Sequence, residues 1–170
     1  MRNRTALPLS EIVLFGVLGA LTFGLKLVMA FLPNIEPVSL LVLLFAEVFG
    51  WKAIYPMYLY VMLEVLVYGF SLWNLNYLYV WAILVVLGVT FRQMQSPLGW
   101  AVLSAAFGLA FGLLCAPVYI IMVGVKGAVL AWIQGIPYDL LHCGGNFVMA
   151  LILFKPLRQL LEKLYSRMKR

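Results

Sequence analysis

Residues 11–32 read EIVLFGVLGALTFGLKLVMAFL, an apolar run whose only charged side chains are Glu11 and Lys26. A helix needs roughly 20 such residues to cross the hydrocarbon core of a bilayer. The run is therefore predicted to be a transmembrane helix that ends at Pro33. It is longer than the apolar core of a signal peptide, and no small-residue cleavage site follows it, so we expect it to be retained.

The composition extends this prediction to the whole chain. Of the 170 residues, 65% are hydrophobic and 11% are charged, whereas a soluble domain is about half apolar and a quarter charged. A water-soluble core of this size cannot bury so much apolar surface. The chain is predicted to be an all-α integral membrane protein with a single membrane domain over residues 1–170.

Six apolar segments are candidate transmembrane helices. Their predicted bounds are 11–32, 38–50, 53–70, 75–91, 98–116 and 128–154. Pro117 is expected to end the fifth segment, and Lys155-Pro156 follows the sixth. The apolar region 118–135 contains Lys126 and several glycines. It is compatible with a loop, a half-helix, part of the sixth segment, or a complete seventh span.

The distribution of basic residues favours six spans over seven. With a cytoplasmic N-terminus, the inner segments hold ten basic residues and the outer segments hold only Lys126, which fits the positive-inside rule. Both termini are therefore predicted to be cytoplasmic, and the net charge of +6 is explained by topology and lipid headgroups without nucleic acid. The ten inner residues are Arg2, Arg4, Lys52, Arg92, Lys155, Arg158, Lys163, Arg167, Lys169 and Arg170.

The C-terminal segment 157–170 is predicted to be an amphipathic helix. Its apolar side chains share one helical face, and its basic residues lie elsewhere. This pattern favours a helix that lies on the inner leaflet, with docking to a partner as the alternative. The apolar face consists of Leu157, Leu160, Leu161, Leu164 and Met168.

The sixth segment carries a line of polar residues. Asp139 and His142, the only Asp and the only His of the chain, lie on one helical face with Asn146, below Trp132. Ionisable groups in a membrane helix face the protein interior or a wet cavity, because contact with lipid costs several kcal/mol. We interpret the line as one wall of a ligand pocket; the alternative is structural packing.

The predicted outer loops supply further candidates for the pocket. Asn34, Glu36, Trp73 and Asn74 lie in these loops, where they either contact a ligand or serve as turn residues and interfacial aromatics. Glu64 lies at a similar depth in the third segment. It is assigned to the site, although an ion pair with Lys26 is also possible.

No catalytic machinery is recognisable, so an enzyme is not expected. The sequence has no G-x-x-x-x-G-K-[ST] loop for a nucleotide. One His and the separated Cys115 and Cys143 do not form a convincing metal site, and small apolar packing is the default role of both cysteines. No cofactor is predicted, and any uphill transport would need energy from another subunit.

Small residues recur along the first segment. Gly16, Ala20 and Gly24 form a stripe with a period of four, which permits close approach of another helix. The partner is either another subunit or one of the chain's own helices.

Two stretches resemble a known family, the substrate-binding S components of energy-coupling factor (ECF) transporters. They are LPNIEPVSLLV at residues 32–42 and GIPYDLLHCGGNFVMALILFKPL at residues 135–157. The Gly16, Ala20 and Gly24 stripe is similar to the alanine stripe with which S components dock, although two of its positions are glycine here. The resemblance covers essentially the whole chain in length and predicted topology.

The resemblance implies a bacterial plasma-membrane protein that binds a vitamin or related micronutrient for ATP-driven uptake. It implies a transmembrane coupling subunit and two cytoplasmic ATPase subunits as partners. It also implies a pocket beneath the outer loops, formed by Asn34, Glu36, Trp73, Asn74, Trp132, Asp139, His142 and Asn146. The substrate stays open among thiamine-like compounds, cobalamin, riboflavin and a queuosine precursor. The alternative function is a membrane scaffold similar to the cell-shape protein MreD, which needs no polar pocket.

Overall fold

The computed structural model describes residues 7–71 and 73–169. Arg2, Arg4 and Arg170, which entered the topology prediction, lie outside the described residues. Within them the regular structure is helical and there is no strand. Four continuous helical stretches are long and apolar enough to cross a membrane, namely Leu9–Val28, Val38–Tyr68, Trp73–Thr90 and Pro97–Met168. The all-helical fold is confirmed, and its long apolar helices are those of a membrane protein.

Two of these stretches change direction at a glycine. Val38–Tyr68 consists of α2 (Val38–Phe49), a 3-10 turn at Gly50–Ala53, and α3 (Ile54–Tyr68). Pro97–Met168 is interrupted by non-helical backbone at Gly124, which separates α5 (97–123) from α6 (125–168). Gly50 and Gly124 have φ angles of 62° and 74°, a region that glycine adopts without steric cost. Leu9–Val28 is α1 and Trp73–Thr90 is α4.

The two helices on either side of Gly124 form an antiparallel hairpin. Near its base, the rings of Trp100 and Phe154 stack with centroids 4.5 Å apart. Nearer the turn, the Gly112 amide donates a hydrogen bond to the Asp139 carboxylate. Contacting residues of α5 and α6 thus approach Gly124 in step with each other along the two helices, as expected for helices that run in opposite directions from that turn. The hairpin places the polar line of α6 against α5.

Helix α1 lies along α3 and runs in the same direction. The rings of Phe15 and Tyr55 stack near the start of both helices, and Lys26 pairs with Glu64 near the end of both. Gly19 makes this approach possible, because a Cβ atom there would lie 2.8 Å from the carbonyl oxygen of Pro56. The end of α1 that leads into the loop at residues 29–37 is thus fixed beside α3.

Helix α2 is the centre of the bundle. Eleven of its twelve residues are buried, so protein surrounds it on all sides. It packs against α4 where Gly88 leaves room for Ala46, since a Cβ atom at position 88 would lie 2.5 Å from the Cβ of Ala46. Because other helices surround α2, its apolar residues serve as a core.

The helix bounds differ most from the predicted segments at the ends of α1 and α5 and at both ends of α6. Helix α1 ends at Val28, four residues before the predicted end of its segment. Helix α5 continues through Pro117 to residue 123, and α6 begins directly after Gly124 and continues through Pro156. Backbone groups in a membrane must be satisfied internally, so a helix often continues past a proline. The ambiguous region 118–135 is helical on both sides of Gly124.

The C-terminal segment continues α6 and packs partly on the protein. Leu161 is buried, and the ring of Tyr165 meets that of Phe49 edge-on at 4.8 Å. Leu160 and Leu164 are exposed. The predicted amphipathic helix is therefore present, but part of its apolar face covers the end of α2 instead of facing lipid, because α6 continues without a break.

A polar cluster joins three parts of the chain at this end of the bundle. The buried Glu11 carboxylate accepts hydrogen bonds from Lys52 and from the Tyr165 hydroxyl, each at 2.6 Å. Burial and the neighbouring Glu11 raise the pKa of Tyr165, which keeps the hydroxyl protonated as a donor. Arg158 pairs with the buried Glu47 at 2.8 Å. The contacts of Glu11 tie α1, the 3-10 turn and α6 together, and the Arg158–Glu47 pair joins α6 to α2.

Candidate ligand-binding site

A cavity of about 500 Å³ lies at the opposite end of the bundle from this cluster. Its walls come from the end of α1, the loop at residues 29–37, the start of α4, the second half of α5 and the first half of α6. Ligand cavities in proteins commonly measure about 300–1,000 Å³. The cavity therefore has the volume of a site for a small molecule.

The loop at residues 29–37 contributes Asn34 and Glu36 to the cavity wall. Asn34 has a φ of 55°, a conformation that asparagine tolerates better than most residues. Ile35 packs closely against α6 at Gly145. A Cβ atom at position 145 would lie only 3.1 Å from the Ile35 side chain. Burial raises the pKa of Glu36, and the nearby Lys26 ammonium opposes that rise.

Lys26 is the centre of a charge cluster at one side of the cavity. Its ammonium group lies 2.9 Å from Glu64 and 3.9 Å from Glu36. It also donates to the hydroxyl of Tyr77 at 3.3 Å. A buried ammonium needs such partners, because leaving it uncompensated is costly. The charge of Lys26 is therefore balanced by protein carboxylates.

The α6 wall carries Asp139 and His142. The carboxylate of Asp139 accepts a hydrogen bond from the Gly112 amide at 3.1 Å through Oδ1. Its other oxygen, Oδ2, is buried and has no hydrogen-bond partner among the described residues. His142 Nε2 lies 3.3 Å from the Ser39 hydroxyl. One carboxylate oxygen of a cavity-lining residue is thus left without a donor among the described residues, whereas the histidine already has a protein partner.

Aromatic side chains cover much of the remaining wall. Trp73 meets Tyr77 and Tyr119 edge-on, with ring centroids 6.3 Å and 6.2 Å apart. Trp132 and Tyr138 line the cavity from α6. Such rings provide large rigid faces for a planar ligand and, in tyrosine and tryptophan, a polar edge. The cavity is suited to a ring-bearing molecule.

Six of the nine predicted site residues lie on the cavity wall and three do not. The six are Asn34, Glu36, Trp73, Trp132, Asp139 and His142. Glu64 stands behind Lys26, which separates it from the cavity. The side chain of Asn74 accepts hydrogen bonds from the backbone and hydroxyl of Ser71, at 2.6 Å and 2.9 Å, and so shapes the turn before α4.

Asn146 lies one helical turn beyond His142 on the same side of α6, and it is outside the cavity wall. Its Nδ2 donates to the Ser104 carbonyl at 3.1 Å. A Cβ atom at Gly108 would lie 2.9 Å from the backbone of His142 and from the Asn146 amide. The close approach of α5 at Gly108 therefore ends the cavity before it reaches Asn146. This residue joins the two helices of the hairpin.

Several wall residues were not selected from the sequence. They are Lys26, Tyr77, Phe111, Gly112, Cys115, Tyr119 and Tyr138. The apolar and aromatic members look like ordinary membrane residues, so the sequence offers no signal for them. Gly112 did have a signal, since Gly108 and Gly112 have the G-x-x-x-G spacing of a close helix contact. That spacing places α5 opposite Asp139.

The small-residue stripe of α1 does not pack against another helix within residues 7–71 and 73–169. Ala20 is exposed and Gly16 and Gly24 are partly exposed. Cβ atoms at both glycines would meet no atom of another described element within 4 Å. The neighbouring Gly19 is the residue that contacts α3. The stripe is therefore an open surface.

No group of three His, Cys, Asp or Glu side chains placed to hold a metal ion occurs within residues 7–71 and 73–169. The chain matches no family model, no curated protein and no solved structure. The function is therefore inferred from the geometry and charge of the cavity.

Proposed function

We propose that this chain is the substrate-binding S component of an ECF transporter in a bacterial plasma membrane. It would bind a vitamin or related micronutrient in the cavity and present it for ATP-driven uptake. The observation that carries the proposal is the cavity itself, whose wall combines aromatic rings with Asp139, a carboxylate that has one buried oxygen without a partner among the described residues. A scaffold protein does not need such a cavity, and ionisable side chains inside a membrane are energetically costly.

The proposed topology has six spans and two cytoplasmic termini. Helices α1 to α6 would each correspond to one span, and the cavity would open toward the outside beneath the loop at residues 29–37. The polar cluster around Glu11 would then lie at the cytoplasmic end, together with the basic residues of the inner segments. A substrate would enter the cavity from the exterior.

The proposed partners are a transmembrane coupling subunit and two cytoplasmic ATPases. The open stripe at Gly16, Ala20 and Gly24 supports docking of a foreign helix to α1, because none of the helices α2 to α6 covers it within the part of the chain that the structure describes. Small residues permit the close helix contacts that stabilise association in lipid. Docking and substrate binding would use different parts of the chain, so they are separable by mutation.

Mass spectrometry of copurified small molecules tests the proposal. The protein is purified in detergent from cells grown in rich medium, freed of unbound solutes, denatured and analysed for released compounds. Gly135 lines the cavity and Gly144 faces away from it, and a Cβ atom at either position would meet no other residue within 4 Å. Gly135→Phe should fill the cavity and eliminate the released compound, whereas Gly144→Phe is the matched control. Equal release from both variants, or no released compound from the wild type, would contradict the proposal.

A further inference from the structure

The charged groups of the cavity do not balance. One ammonium group, that of Lys26, and two carboxylates, those of Glu36 and Asp139, line the cavity, and a third carboxylate, that of Glu64, lies behind Lys26. Lys26 interacts with both glutamates and with the hydroxyl of Tyr77. These protein groups largely occupy the Lys26 ammonium group, which therefore has little capacity left to bind an anionic ligand. Lys126, the one basic residue of the predicted outer segments, is exposed and lies outside the wall.

Asp139 is the carboxylate that lacks a cationic partner among the described residues. The residue is 4% exposed, and among the described residues its carboxylate accepts one hydrogen bond, from the Gly112 amide. A buried carboxylate oxygen without a donor is unfavourable. A ligand that brings a cationic nitrogen with an N–H group would supply both the charge and the hydrogen bond.

The rings around the cavity favour the same class of ligand. Trp73, Tyr77 and Tyr119 form a continuous edge-to-face series on one side, and Trp132 and Tyr138 lie on the α6 side near Asp139. The faces of tryptophan and tyrosine attract cations as well as planar rings. Stacking and charge recognition are thus available within one cavity.

Given the substrate-binding function proposed above, we infer that the ligand is a compact aromatic molecule with a cationic nitrogen group, which Asp139 receives. The aromatic walls hold the ring, and the free Oδ2 of Asp139 accepts a hydrogen bond from the cationic group. The Lys26 cluster stays intact and excludes anions from its side of the cavity. A ligand whose principal group is a carboxylate or phosphate would face Asp139 without compensation.

Three probes of nearly equal size test this inference, namely benzamidine, benzamide and benzoate. At neutral pH they are a cation, a neutral amide and an anion on the same ring. Binding to the purified wild-type protein is measured by calorimetric titration at millimolar concentrations, after removal of any copurified compound. Benzamidine should bind at least about tenfold more tightly than benzoate, with benzamide between them.

The variant Asp139→Asn removes the charge and keeps the size of the side chain. It should reduce the preference for benzamidine over benzamide to within about twofold, and Gly144→Ala, remote from the cavity, should retain the wild-type order. If Asp139→Asn does not yield folded protein, Gly112→Ala, which displaces the carboxylate, replaces it with the same expectation. Benzoate binding as tightly as benzamidine, failure of all three probes to bind, or an unchanged preference in the variant would each overturn the inference.

These outcomes are independent of uptake. A chain that prefers benzamidine but never supports ATP-driven transport would retain the cation site and lose the proposed transporter function. A chain that carries an anionic vitamin into cells would retain the transporter function and lose the cation site. The probe titration can therefore refute the cation site without refuting the transporter function, and the uptake measurement can do the reverse.

Discussion

The carboxylate of Asp139 and the backbone of Gly112 face each other across the α5–α6 hairpin, and the contact exists because residue 112 has no side chain. The Gly112 amide donates to Oδ1 at 3.1 Å, and a Cβ atom at position 112 would lie 2.5 Å from Oδ2. The glycine thus determines both where the carboxylate lies and how closely the two helices approach.

The variant Gly112→Ala is expected to weaken ligand binding by displacing the Asp139 carboxylate. Loss of the partner of a buried polar group costs about 1–3 kcal/mol, which corresponds to roughly 5- to 150-fold in affinity. Calorimetric titration with the released compound measures the change. Gly144→Ala, on α6 but with no neighbour near its Cβ, is the control and should bind like the wild type. Equal affinities for the two variants would show that the carboxylate position does not matter for binding.

Asn146→Ala is expected to lower stability with little direct effect on affinity. The side chain donates to the Ser104 carbonyl at 3.1 Å and does not line the cavity. Loss of one such hydrogen bond should reduce the free energy of unfolding by about 0.5–1.5 kcal/mol. Thermal unfolding in detergent tests this, with Asp139→Ala as the contrasting variant that should chiefly lose binding. Weakened binding of Asn146→Ala at unchanged stability would place Asn146 in contact with the ligand after all.

Ala20→Leu is expected to abolish assembly with the coupling subunit while ligand binding by the isolated chain is retained. The larger side chain would project from the open face of α1 and prevent close approach of a second helix. Ala106 is exposed on α5, so Ala106→Leu is a matched control and should assemble normally. Copurification with a tagged coupling subunit measures both variants. Normal assembly of Ala20→Leu would remove the stripe as the docking surface.

The proposed topology predicts that a reporter fused after Arg170 lies in the cytoplasm. The basis is the excess of basic residues in the predicted inner segments. A fusion after residue 124, at the turn between α5 and α6, should report an external position. The paired fusions are scored by an enzyme that is active on only one side of the membrane. A C-terminal reporter on the outside would eliminate the six-span topology.

Much of the fold was predictable because membrane helices have a strong compositional signal. Apolar runs separated by turns and charges located the helices, and the spacing of Asp139 and His142 located one wall of the cavity. Proline was misleading, since Pro117 and Pro156 both lie inside helices. In membrane proteins, neighbouring helices and local adjustments of the backbone can satisfy the groups that a proline frees, so a proline does not reliably end a helix. The reversal occurs instead at Gly124, whose positive φ could not be distinguished from sequence among neighbouring glycines.

The predicted site was less accurate where one helix covers another. Asn146 shares a helical face with Asp139, but the approach of α5 at Gly108 closes the cavity before that residue. Periodicity assigns a residue to a face and does not show how far along that face the cavity extends. Lys26 was interpreted only as a possible partner of Glu64, and the structure places it both in that ion pair and on the wall. Contacts of this kind depend on tertiary packing.

ATP-dependent uptake of the released compound is the most direct test of the transporter function. Cells that express this chain with its coupling subunit and ATPases are compared with cells that lack the chain, and with cells whose ATPases are inactivated. The proposed function predicts accumulation only when the chain and active ATPases are both present, and it predicts loss of accumulation in Gly135→Phe but not in Gly144→Phe. Accumulation that is the same without the chain, or with inactive ATPases, would contradict it.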